Sequence, residues 1–436
     1  MTDPHEAGAP TGCTGLARLT DLAPDDFARA WGREPRHVRA DALPAGGALL
    51  GIDDVDALLS RRGMRAPFVR VAKEGRTLAD TDFTRGGGVG AGVRDQVDDT
   101  ALLRLFADGH TIVLQGLHRT HPPVLALAQE LAADLGHPVQ ANAYVTPAAN
   151  RGFAAHYDVH DVFVLQTEGT KRWSLHAPVH EHPLRDQPWQ DRRSQVEQAA
   201  AAEPYLDVTL EPGDVLYVPR GWLHSATALG GVSVHLTIGV HVWHRHHIAE
   251  AVLDGTRRAL AEQPELRTSL PPGVDVSDPT HLAEHLTAVR AALHAAVDAL
   301  DDAAVAALLA PKQRAAQRPA PVAPVATAAA LADGLADHEV VPREHLRASL
   351  EPTGAGVDLV SRAGRLPLTT AEADGVATWL TGSGAPLDPA LAHRLVVGGV
   401  AVLAPRGGST MYSLVNTSWK ASWRMPPPRW SSFSRM

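Results

Sequence analysis

The sequence predicts a mainly β core, an antiparallel sandwich or barrel, flanked on both sides by helical segments. The first observation is the stretch from about residue 140 to 243, where short β-rich runs alternate with turn residues. Many short strands at this spacing are typical of an antiparallel sandwich or barrel. The second observation is that apolar residues recur with helical spacing on either side of this stretch. The predicted strands are Asn142–Thr146, Asp161–Gln166, Arg172–His176, Leu206–Leu210, Val215–Val218 and Ser233–Val242.

Length and charge limit the classes of protein to which the chain can belong. Its 436 residues predict two or three domains, at about 100–200 residues per domain. Hydrophobic residues make up 44% and charged residues 20%, so a sizeable core forms and global disorder is excluded. The formal net charge of -9 argues against a protein that mainly coats nucleic acid or an anionic membrane surface.

Signals for export and membrane insertion are missing from the sequence. Cys13 is the single cysteine, which excludes an internal disulfide. The Gly/Pro/Thr-rich start around it lacks the apolar run of a signal peptide. No window approaches about 18 consecutive apolar residues without a charge, the minimum for a membrane-spanning helix. These features predict a soluble, cytoplasmic protein.

Four helices are predicted before the β-rich stretch. Asp53, Asp98 and Asp99 stand where an N-cap or a first-turn acid is expected. The glycine-rich run Gly86–Gly92 has neither the GxxxxGK[ST] pattern nor a strand–helix context, so we exclude a phosphate-binding loop. The predicted helices are Asp25–Trp31, Asp53–Arg61, Asp98–Asp108 and Pro123–Leu135.

The second half of the chain divides by composition. The segment His281–Leu309 keeps apolar residues at i, i+3 and i+4 spacing, and a Pro/Ala-rich linker follows it. Beyond the linker lies a small module with helices predicted at Thr370–Leu380 and Asp388–Val397. The predicted divisions are a disordered tail (1–15), the β domain with its N-terminal helices (16–245), a helical region (246–310), the linker (311–330), the module (331–405) and a poorly ordered tail (406–436).

A candidate metal site lies in the β-rich stretch. His156 and Asp158 are two residues apart, so in an extended chain both side chains point to the same side. A third ligand has to come from another strand, and His224 is the favoured candidate, with His235 and His241 as competitors. Two histidines and one carboxylate on one face of a metal are the ligand set of non-haem Fe(II) oxygenases. The alternative is that His156 and Asp158 form an ordinary surface pair.

The surroundings of these residues resemble a known family. Residues from about 16 to 245 look like the JmjC-type cupin oxygenases of the ribosomal oxygenase group. The resemblance implies a double-stranded β-helix (cupin, or jelly roll) with N-terminal helices, then a helical dimerisation region and a small C-terminal winged-helix-like domain. The motifs that carry the resemblance, in chain order, are Asn142-Ala-Tyr144-Val-Thr-Pro147, His156-Tyr-Asp158, Asp161-Val-Phe-Val-Leu-Gln166, Gly169-Thr-Lys171-Arg-Trp173 and Gly213-Asp214-Val-Leu-Tyr-Val-Pro219-Arg-Gly221-Trp-Leu-His224.

The resemblance also implies roles for individual residues. His156, Asp158 and His224 would ligate Fe(II), with 2-oxoglutarate and O₂ as cosubstrates. Lys171 would pair with the distal carboxylate of 2-oxoglutarate, since a dianion that chelates iron at one end needs a buried cation at the other. Tyr144 would donate a second hydrogen bond to that carboxylate.

Further contacts to the cosubstrate stay open. Asn142 would sit beside Tyr144 and face the metal. The competing hypothesis for the cation is that Lys171 is solvated and that Arg172 or Arg220 holds the acid. The family often carries a hydroxyl residue on its last strand, facing the cosubstrate. Here that neighbourhood reads His235-Leu-Thr237-Ile-Gly239, a departure that leaves these contacts undefined.

The activity implied by the resemblance is hydroxylation of a protein side chain, with a ribosomal histidine or arginine favoured by analogy. One rival is a cupin oxygenase that acts on a small molecule or a peptide natural product, and another is a non-catalytic cupin scaffold. The apolar stripe of His281–Leu309 predicts a homodimer. Direct nucleic-acid binding is not expected, because Asp333–Asp374 contains more acids than bases and no basic helix.

Overall fold

The computed structural model describes residues 14–21, 27–40, 49–73, 75–148, 154–335, 338–382 and 386–405. The chain divides into two compact units, Met1–His247 and Ile248–Met436. The predictions for Cys13, for most of the N-terminal tail and for the tail 406–436 lie outside the described residues, as does the start of the helix expected at Asp25–Trp31.

The first unit is built on antiparallel strands. The strands are β1 (Arg36–Arg39), β2 (Val69–Lys73), β3 (Arg76–Thr77), β4 (Thr84–Arg85), β5 (Gln96–Val97), β6 (Thr111–Leu114), β7 (Val139–Thr146), β8 (Asp161–Glu168), β9 (Lys171–His176), β10 (Leu206–Leu210), β11 (Asp214–Val218), β12 (Leu223–Ala228) and β13 (Ser233–Val240). An eight-stranded sheet has the order β1-β11-β8-β13-β7-β6-β2-β3, and a three-stranded sheet has the order β10-β9-β12.

Apolar side chains pack between the two sheets. Val162 and Val164 of β8 and Leu216 of β11 share one buried cluster with Trp173 and Leu175 of β9. Because side chains alternate along a strand, each strand sends one set of residues into this space and the other set outward. The result is the antiparallel two-sheet core that the sequence predicts.

Most strands of the core lie where the sequence predicts them, but one strand that contains a residue of the site was not predicted. The segment Leu206–Leu210 has the predicted bounds, and β7, β8, β9 and β11 extend beyond theirs by one to three residues. Strand β12 was not predicted, because Leu223–Ala228 follows a turn and its polar residues show no clear alternation. His224 is the second residue of this strand.

The segment before residue 135 contains strands as well as the expected helices. Strands β1, β2 and β6 extend the large sheet, which corrects the prediction of helices and loops alone. Thr111–Leu114 is buried at all four positions, and periodicity cannot separate so short an apolar run from a helix. The helices are α1 (Gly15–Thr20), α2 (Ile52–Arg61), α3 (Asp99–Ala107), α4 (Leu117–Thr120), α5 (Pro122–Leu135) and α6 (Arg193–Ala200), with 3₁₀ turns at Asp80–Asp82 and Trp189–Arg192.

Acidic residues stabilise the N-terminal ends of two of these helices. The side chain of Asp98 accepts hydrogen bonds from the backbone N–H groups of Thr100 and Ala101, which makes Asp98 the N-cap of α3. Asp53 lies in the first turn of α2, where its charge favours the positive end of the helix dipole. Helix α5 buries one face, including Val124, Leu127 and Leu131, in the core cluster that also contains residues of the large sheet.

The second unit begins within a long helix and continues as helices. These are α7 (Arg245–Ala261), α8 (Pro279–Asp298), α9 (Asp302–Ala315) and α10 (Pro324–Asp333), with a 3₁₀ turn at Pro264–Arg267. The stretch predicted as a Pro/Ala-rich linker is helical at both ends: Pro311 lies inside α9, and α10 begins at Pro324. The alanines around these prolines have the highest helix propensity, which explains the difference. None of the described helices is long and apolar enough to cross a membrane.

The module at the end of this unit has its own core. Val376 and Trp379 of one helix and Leu395 of the other pack with Leu359 and Leu368 of the strands. The predicted helices are found at nearly the predicted bounds. The elements are β14 (His338–Pro342), β15 (Ser349–Thr353), β16 (Gly356–Ser361), β17 (Gly364–Leu368), α11 (Thr370–Leu380), α12 (Pro389–Val397) and β18 (Ala401–Pro405).

Candidate metal centre

Three side chains meet at the mouth of the two-sheet core. Each of His156, Asp158 and His224 offers one ligand atom, and these atoms lie within 4.8 Å of one another. Nε2 of His224 is 3.7 Å from Oδ2 of Asp158, and the ring centroids of the two histidines are 4.4 Å apart. Among the described residues this is the one group of His, Cys, Asp or Glu with metal-ligand spacing. His235 and His241, the competitors for third ligand, are not part of it.

Backbone hydrogen bonds bring the three residues together. The N–H of His156 donates to the carbonyl oxygen of His224 at 3.2 Å, and the N–H of His224 donates to the carbonyl oxygen of His156 at 2.8 Å. The N–H of Gly221 donates to the carbonyl oxygen of Asp158 at 3.0 Å. The segment around His156 is thereby paired to the start of β12, and the spacing of the ligand set follows from the main chain.

Backbone carbonyls also decide which ring nitrogen of each histidine can bind a metal. Nδ1 of His156 lies 2.7 Å from the carbonyl oxygen of Ala154, and Nδ1 of His224 lies 3.1 Å from that of Trp222. A carbonyl oxygen only accepts hydrogen bonds, so Nδ1 carries the proton in both rings. The lone pair of each ring is then on Nε2, which is the form that coordinates a metal.

The protonation states suit a divalent cation. Burial, with a contribution from His156, lowers the pKa of His224 to about 4, so its imidazole is neutral near pH 7. Burial alone would raise the pKa of the Asp158 carboxyl, but His160, His224 and His156 lower it further, and the net pKa is below its usual range. Two histidine nitrogens and one carboxylate are the donors that non-haem Fe(II) sites use. The residues present therefore fit such an ion.

A cavity of about 80 Å³ extends from the three ligands into the space between the sheets. Its walls contain a lysine, a tyrosine and a third histidine, together with several hydroxyl groups. Beyond the metal ligands, the polar residues that line it are Thr111, Tyr144, Lys171, Ser225, His235 and Thr237.

Lys171 is the buried cation of this cavity. It lies at the start of β9 and is 3% exposed, Trp173 is also buried, and Arg172 between them is exposed. The ammonium group donates to Oγ1 of Thr146 at 3.3 Å. Burial lowers the pKa of Lys171 to about 7. Among the described residues no carboxylate pairs with this lysine, so the protein itself does not neutralise the charge.

The competing arginines are occupied elsewhere. The guanidinium of Arg172 forms an ion pair with Asp207 on the outer face of the small sheet, with Nε 2.6 Å from Oδ1. The guanidinium of Arg220 donates to the carbonyl oxygen of Pro183 at 3.3 Å. Neither arginine lines the cavity. The geometry favours Lys171 over both as the partner of an acid in this cavity.

Tyr144 and His235 form a stacked pair in the wall. Their ring centroids are 5.1 Å apart and the rings are parallel to within 2°. Trp173 contacts His235 edge-on at 5.4 Å. Burial, with Asp158 nearby, raises the pKa of Tyr144 to about 12, so its phenol is a hydrogen-bond donor at neutral pH. Burial, with Lys171 nearby, holds the pKa of His235 well below its usual range, which leaves that ring neutral.

Asn142 lies outside the cavity lining. It shares a face of β7 with Tyr144, because the two are separated by one residue, but its Oδ1 accepts a hydrogen bond from the N–H of Gly116 at 3.0 Å. The structure thus brings Tyr144 and Lys171 together in the cavity and gives Asn142 a contact to the chain before α4.

Several residues that line the cavity or contact Lys171 were not found from the sequence. Thr146 was in a recognised motif and stands two residues after Tyr144, so strand alternation could have indicated it. Ser225 belongs to the strand that was missed. Thr111 lies on β6, also missed, and its hydroxyl donates to that of Thr146 at 3.4 Å. No local pattern marks Thr111 as part of this site.

Comparison with protein families identifies the domain. Residues 122–248 match the family described as "JmjC domain". This range contains the three candidate ligands, Tyr144 and Lys171.

Curated proteins with similar sequences are oxygenases by name. "Ribosomal oxygenase 1" of Gallus gallus is 30% identical over 258 residues, which cover 58% of this chain and 41% of that protein. "Bifunctional lysine-specific demethylase and histidyl-hydroxylase NO66" of Drosophila persimilis is 42% identical over 104 residues, 24% of this chain and 14% of that protein. The chain therefore spans less than half of the length of these relatives.

Solved structures show the same fold. The Escherichia coli ribosomal oxygenase YcfD aligns with a TM-score of 0.51 at 16% sequence identity, over 88% of this chain and 99% of that one. A second structure of YcfD, in complex with cobalt and 2-oxoglutarate, aligns with a TM-score of 0.51 at 15% identity, over 87% of this chain and 97% of that one. The JmjC cupin fold and the resemblance to ribosomal oxygenases, both expected from the sequence motifs, are confirmed.

Proposed function

We propose that this protein is an Fe(II)- and 2-oxoglutarate-dependent oxygenase that hydroxylates a protein side chain. The observation that carries the proposal is one cavity with a two-histidine, one-carboxylate ligand set at its mouth and a buried lysine, unpaired with any described acid, in its wall. A ligand with a metal-chelating end and a distal carboxylate satisfies both features. The alternative of a non-catalytic scaffold gives no reason for a buried lysine without an acidic partner.

In this function the metal would be held by Nε2 of His156, Nε2 of His224 and the carboxylate of Asp158. Bound iron would supply the activation of O₂, and the overall reaction converts 2-oxoglutarate, O₂ and a C–H group to succinate, CO₂ and an alcohol. The three ligands would occupy one side of such an ion and would leave positions for the cosubstrates.

The chain's own residues bind and orient the cosubstrate. The Lys171 ammonium pairs with the distal carboxylate of 2-oxoglutarate in a buried setting, where an ion pair is screened little by water. The phenol of Tyr144 donates a second hydrogen bond to the same carboxylate, and Thr146 holds the ammonium in place. Apolar neighbours, Val162, Val164 and Trp173 among them, exclude water from this end of the cavity.

The substrate class rests on the names of the relatives. One relative is named for the ribosome and another for the hydroxylation of a histidine. We therefore propose a side chain of a ribosomal protein as the substrate, a histidine or, by analogy with the family, an arginine. A small molecule or a peptide natural product is the alternative.

The proposal is tested by incubating the protein with Fe(II), 2-oxoglutarate and O₂, and measuring succinate together with oxygen incorporation into ribosomal proteins by mass spectrometry. Succinate formation with a one-oxygen mass increase on a histidine or arginine supports it. A protein that binds iron but forms no succinate supports the scaffold. Succinate with oxygen found in metabolites alone supports the small-molecule enzyme.

The helices of the second unit would provide a homodimer interface, and the module predicted at 331–405 would be a winged-helix-like domain. Helix α8 exposes Leu286, Val289, Leu293 and Val297 in one stripe, each 37–41% exposed. Such a stripe is typical of a face that a symmetric partner covers.

We expect the full-length protein to be a dimer at micromolar concentration by light scattering. Leu293→Glu, in the stripe, should shift it to a monomer, because a charge would be buried without a partner. Ala291→Glu, an exposed position on another face of the same helix, should leave the dimer unchanged. A monomeric wild-type protein would contradict the interface.

A further inference from the structure

A second cavity lies beside the metal centre, outside the space between the sheets. It is a cleft of about 290 Å³, close to the lower limit of about 300 Å³ for ligand pockets. One wall is Ala154–Ala155, and the other is the end of α6 with Ala200 and Ala201. Small side chains on both walls leave the volume open. Trp189, from the 3₁₀ turn before α6, completes the apolar surface.

The cleft adjoins the metal centre. Ala154 and Ala155 immediately precede His156, and the carbonyl oxygen of Ala154 accepts the hydrogen bond that fixes the His156 ring. The ring centroid of Trp189 lies 6.3 Å from that of His156. An extended polypeptide advances about 3.3 Å per residue, so the 6.3 Å between these two rings corresponds to about two residues of an extended chain.

The rim of the cleft offers one hydrogen-bond donor and one acceptor. The Arg193 guanidinium stacks over the Trp189 ring at 4.8 Å from its centroid, which holds the indole in position. Glu197, one helical turn further along α6, is exposed and forms no ion pair with a described residue. An arginine donates to a peptide carbonyl and a glutamate accepts from a peptide N–H, so this pair is complementary to a polypeptide main chain.

We propose that the cleft is a docking subsite for the polypeptide substrate, which places an apolar side chain against Trp189 and the alanines while a residue about two positions away enters the metal centre. This inference rests on the proposed function and specifies its substrate as an extended polypeptide segment. A metabolite held wholly within the cavity of about 80 Å³ would not reach this cleft.

The test is to fill the cleft. Ala201 is exposed at the end of α6, so Ala201→Trp fills the cleft without disturbing a buried position. Gln198→Trp is the matched control, because Gln198 is exposed on the same helix and does not line the cleft. The probe is a protease digest of ribosomal proteins, with hydroxylated peptides quantified by mass spectrometry. Succinate formed without any peptide reports the metal centre and cosubstrate binding separately.

We expect Ala201→Trp to raise KM for the hydroxylated peptide by about tenfold or more, equivalent to about 1.4 kcal/mol of lost binding. Its kcat and its peptide-free succinate formation should equal those of the wild type, and Gln198→Trp should match the wild type throughout. Glu197→Gln should raise KM less than Ala201→Trp, because it keeps an acceptor at the rim.

Three results overturn the inference while leaving the oxygenase assignment intact. One is an unchanged KM for Ala201→Trp, and another is an equal rise in Gln198→Trp. The third is a wild-type protein that forms succinate but hydroxylates no peptide in the digest. A wild-type protein with iron bound and no succinate formation instead overturns the proposed function, and the inference with it.

Discussion

The two ends of the cavity between the sheets differ in whether their charged groups have charged or polar partners within the protein. At the metal end, Asp158 lies among three histidines, and reciprocal backbone hydrogen bonds fix His156 against His224. At the other end, the Lys171 ammonium has a hydroxyl partner, Thr146, and no described carboxylate. One end is therefore preorganised by the main chain, whereas the other contains a buried charge that an anionic molecule has to neutralise. Variants at the metal end should therefore lose iron-dependent turnover, and variants at the other end should lose affinity for the cosubstrate.

The largest effect is expected at the metal end. Asp158→Ala should abolish iron-dependent turnover and leave the fold largely intact, because backbone hydrogen bonds, and not the carboxylate, hold the site together. Metal content after dialysis, succinate formation and thermal unfolding are the measurements. Asp207→Ala, which removes an exposed carboxylate from β10, is the control and should keep full activity. Full activity of Asp158→Ala, or loss of iron in His235→Ala but not in His224→Ala, would show that the ligand set is wrong.

The next effect is expected at the cosubstrate end. Lys171→Ala should raise the 2-oxoglutarate concentration at half saturation by more than about 100-fold, because losing one partner of a buried charge pair costs on the order of 3–5 kcal/mol. Metal affinity should change little, which separates this variant from Asp158→Ala.

Lys171→Arg tests whether charge alone is enough. The guanidinium is planar and longer, so it should displace the cosubstrate from the iron. The Lys171→Arg protein should therefore bind 2-oxoglutarate far more weakly than its retained charge implies. An unchanged half-saturation point in Lys171→Ala would instead assign the cosubstrate carboxylate to another group.

The metal end was largely predictable from the sequence, and the reason is local. His156 and Asp158 are two residues apart. They lie outside the named strands, His156 in an isolated bridge to His224, and both still offer a ligand atom to the same site. The turn Pro219-Arg-Gly221 positions His224 near them, through the hydrogen bond from Gly221 to Asp158. The same turn next to the same strand pair always produces such contacts, so the spacing of residues within the motifs is enough to predict them.

The cosubstrate end was only partly predictable, because its contacts join distant strands. The Lys171 ammonium donates to Thr146, a partner that the motifs did not indicate, and Thr111 adds a hydroxyl from a strand that no pattern indicated. Asn142 was expected in the cavity, and its Oδ1 is instead used by the N–H of Gly116. Sequence periodicity gives the face of each strand, but not which faces of non-neighbouring strands meet.

A smaller effect is expected from pH. Burial lowers the pKa of Lys171 to about 7, so in the cosubstrate-free protein the ammonium form is present below that pH and is lost above it. The dianion binds the ammonium form, and binding therefore takes up a proton. The affinity for 2-oxoglutarate should be nearly constant below pH 7 and should fall by about tenfold per pH unit above it. Calorimetric titration with Mn(II) in place of iron measures this. The control is Lys171→Met, whose weaker binding should show no such dependence.

The smallest effect is expected from the hydroxyl that holds this ammonium. Thr146→Val keeps the shape of the side chain but removes the acceptor 3.3 Å from the Lys171 ammonium. A hydrogen bond to a charged group contributes about 1.5 kcal/mol, so the pKa of Lys171 in the empty protein should fall by about one unit. Because fewer lysines are then protonated, 2-oxoglutarate should bind about twofold more weakly at pH 6 and about tenfold more weakly at pH 8. The Thr111 hydroxyl contacts the hydroxyl of Thr146 and acts on the ammonium through it. Thr111→Val should therefore weaken 2-oxoglutarate binding less than Thr146→Val, with the same pH dependence. Equal losses at both pH values would mean that Thr146 acts directly on the cosubstrate and not through Lys171.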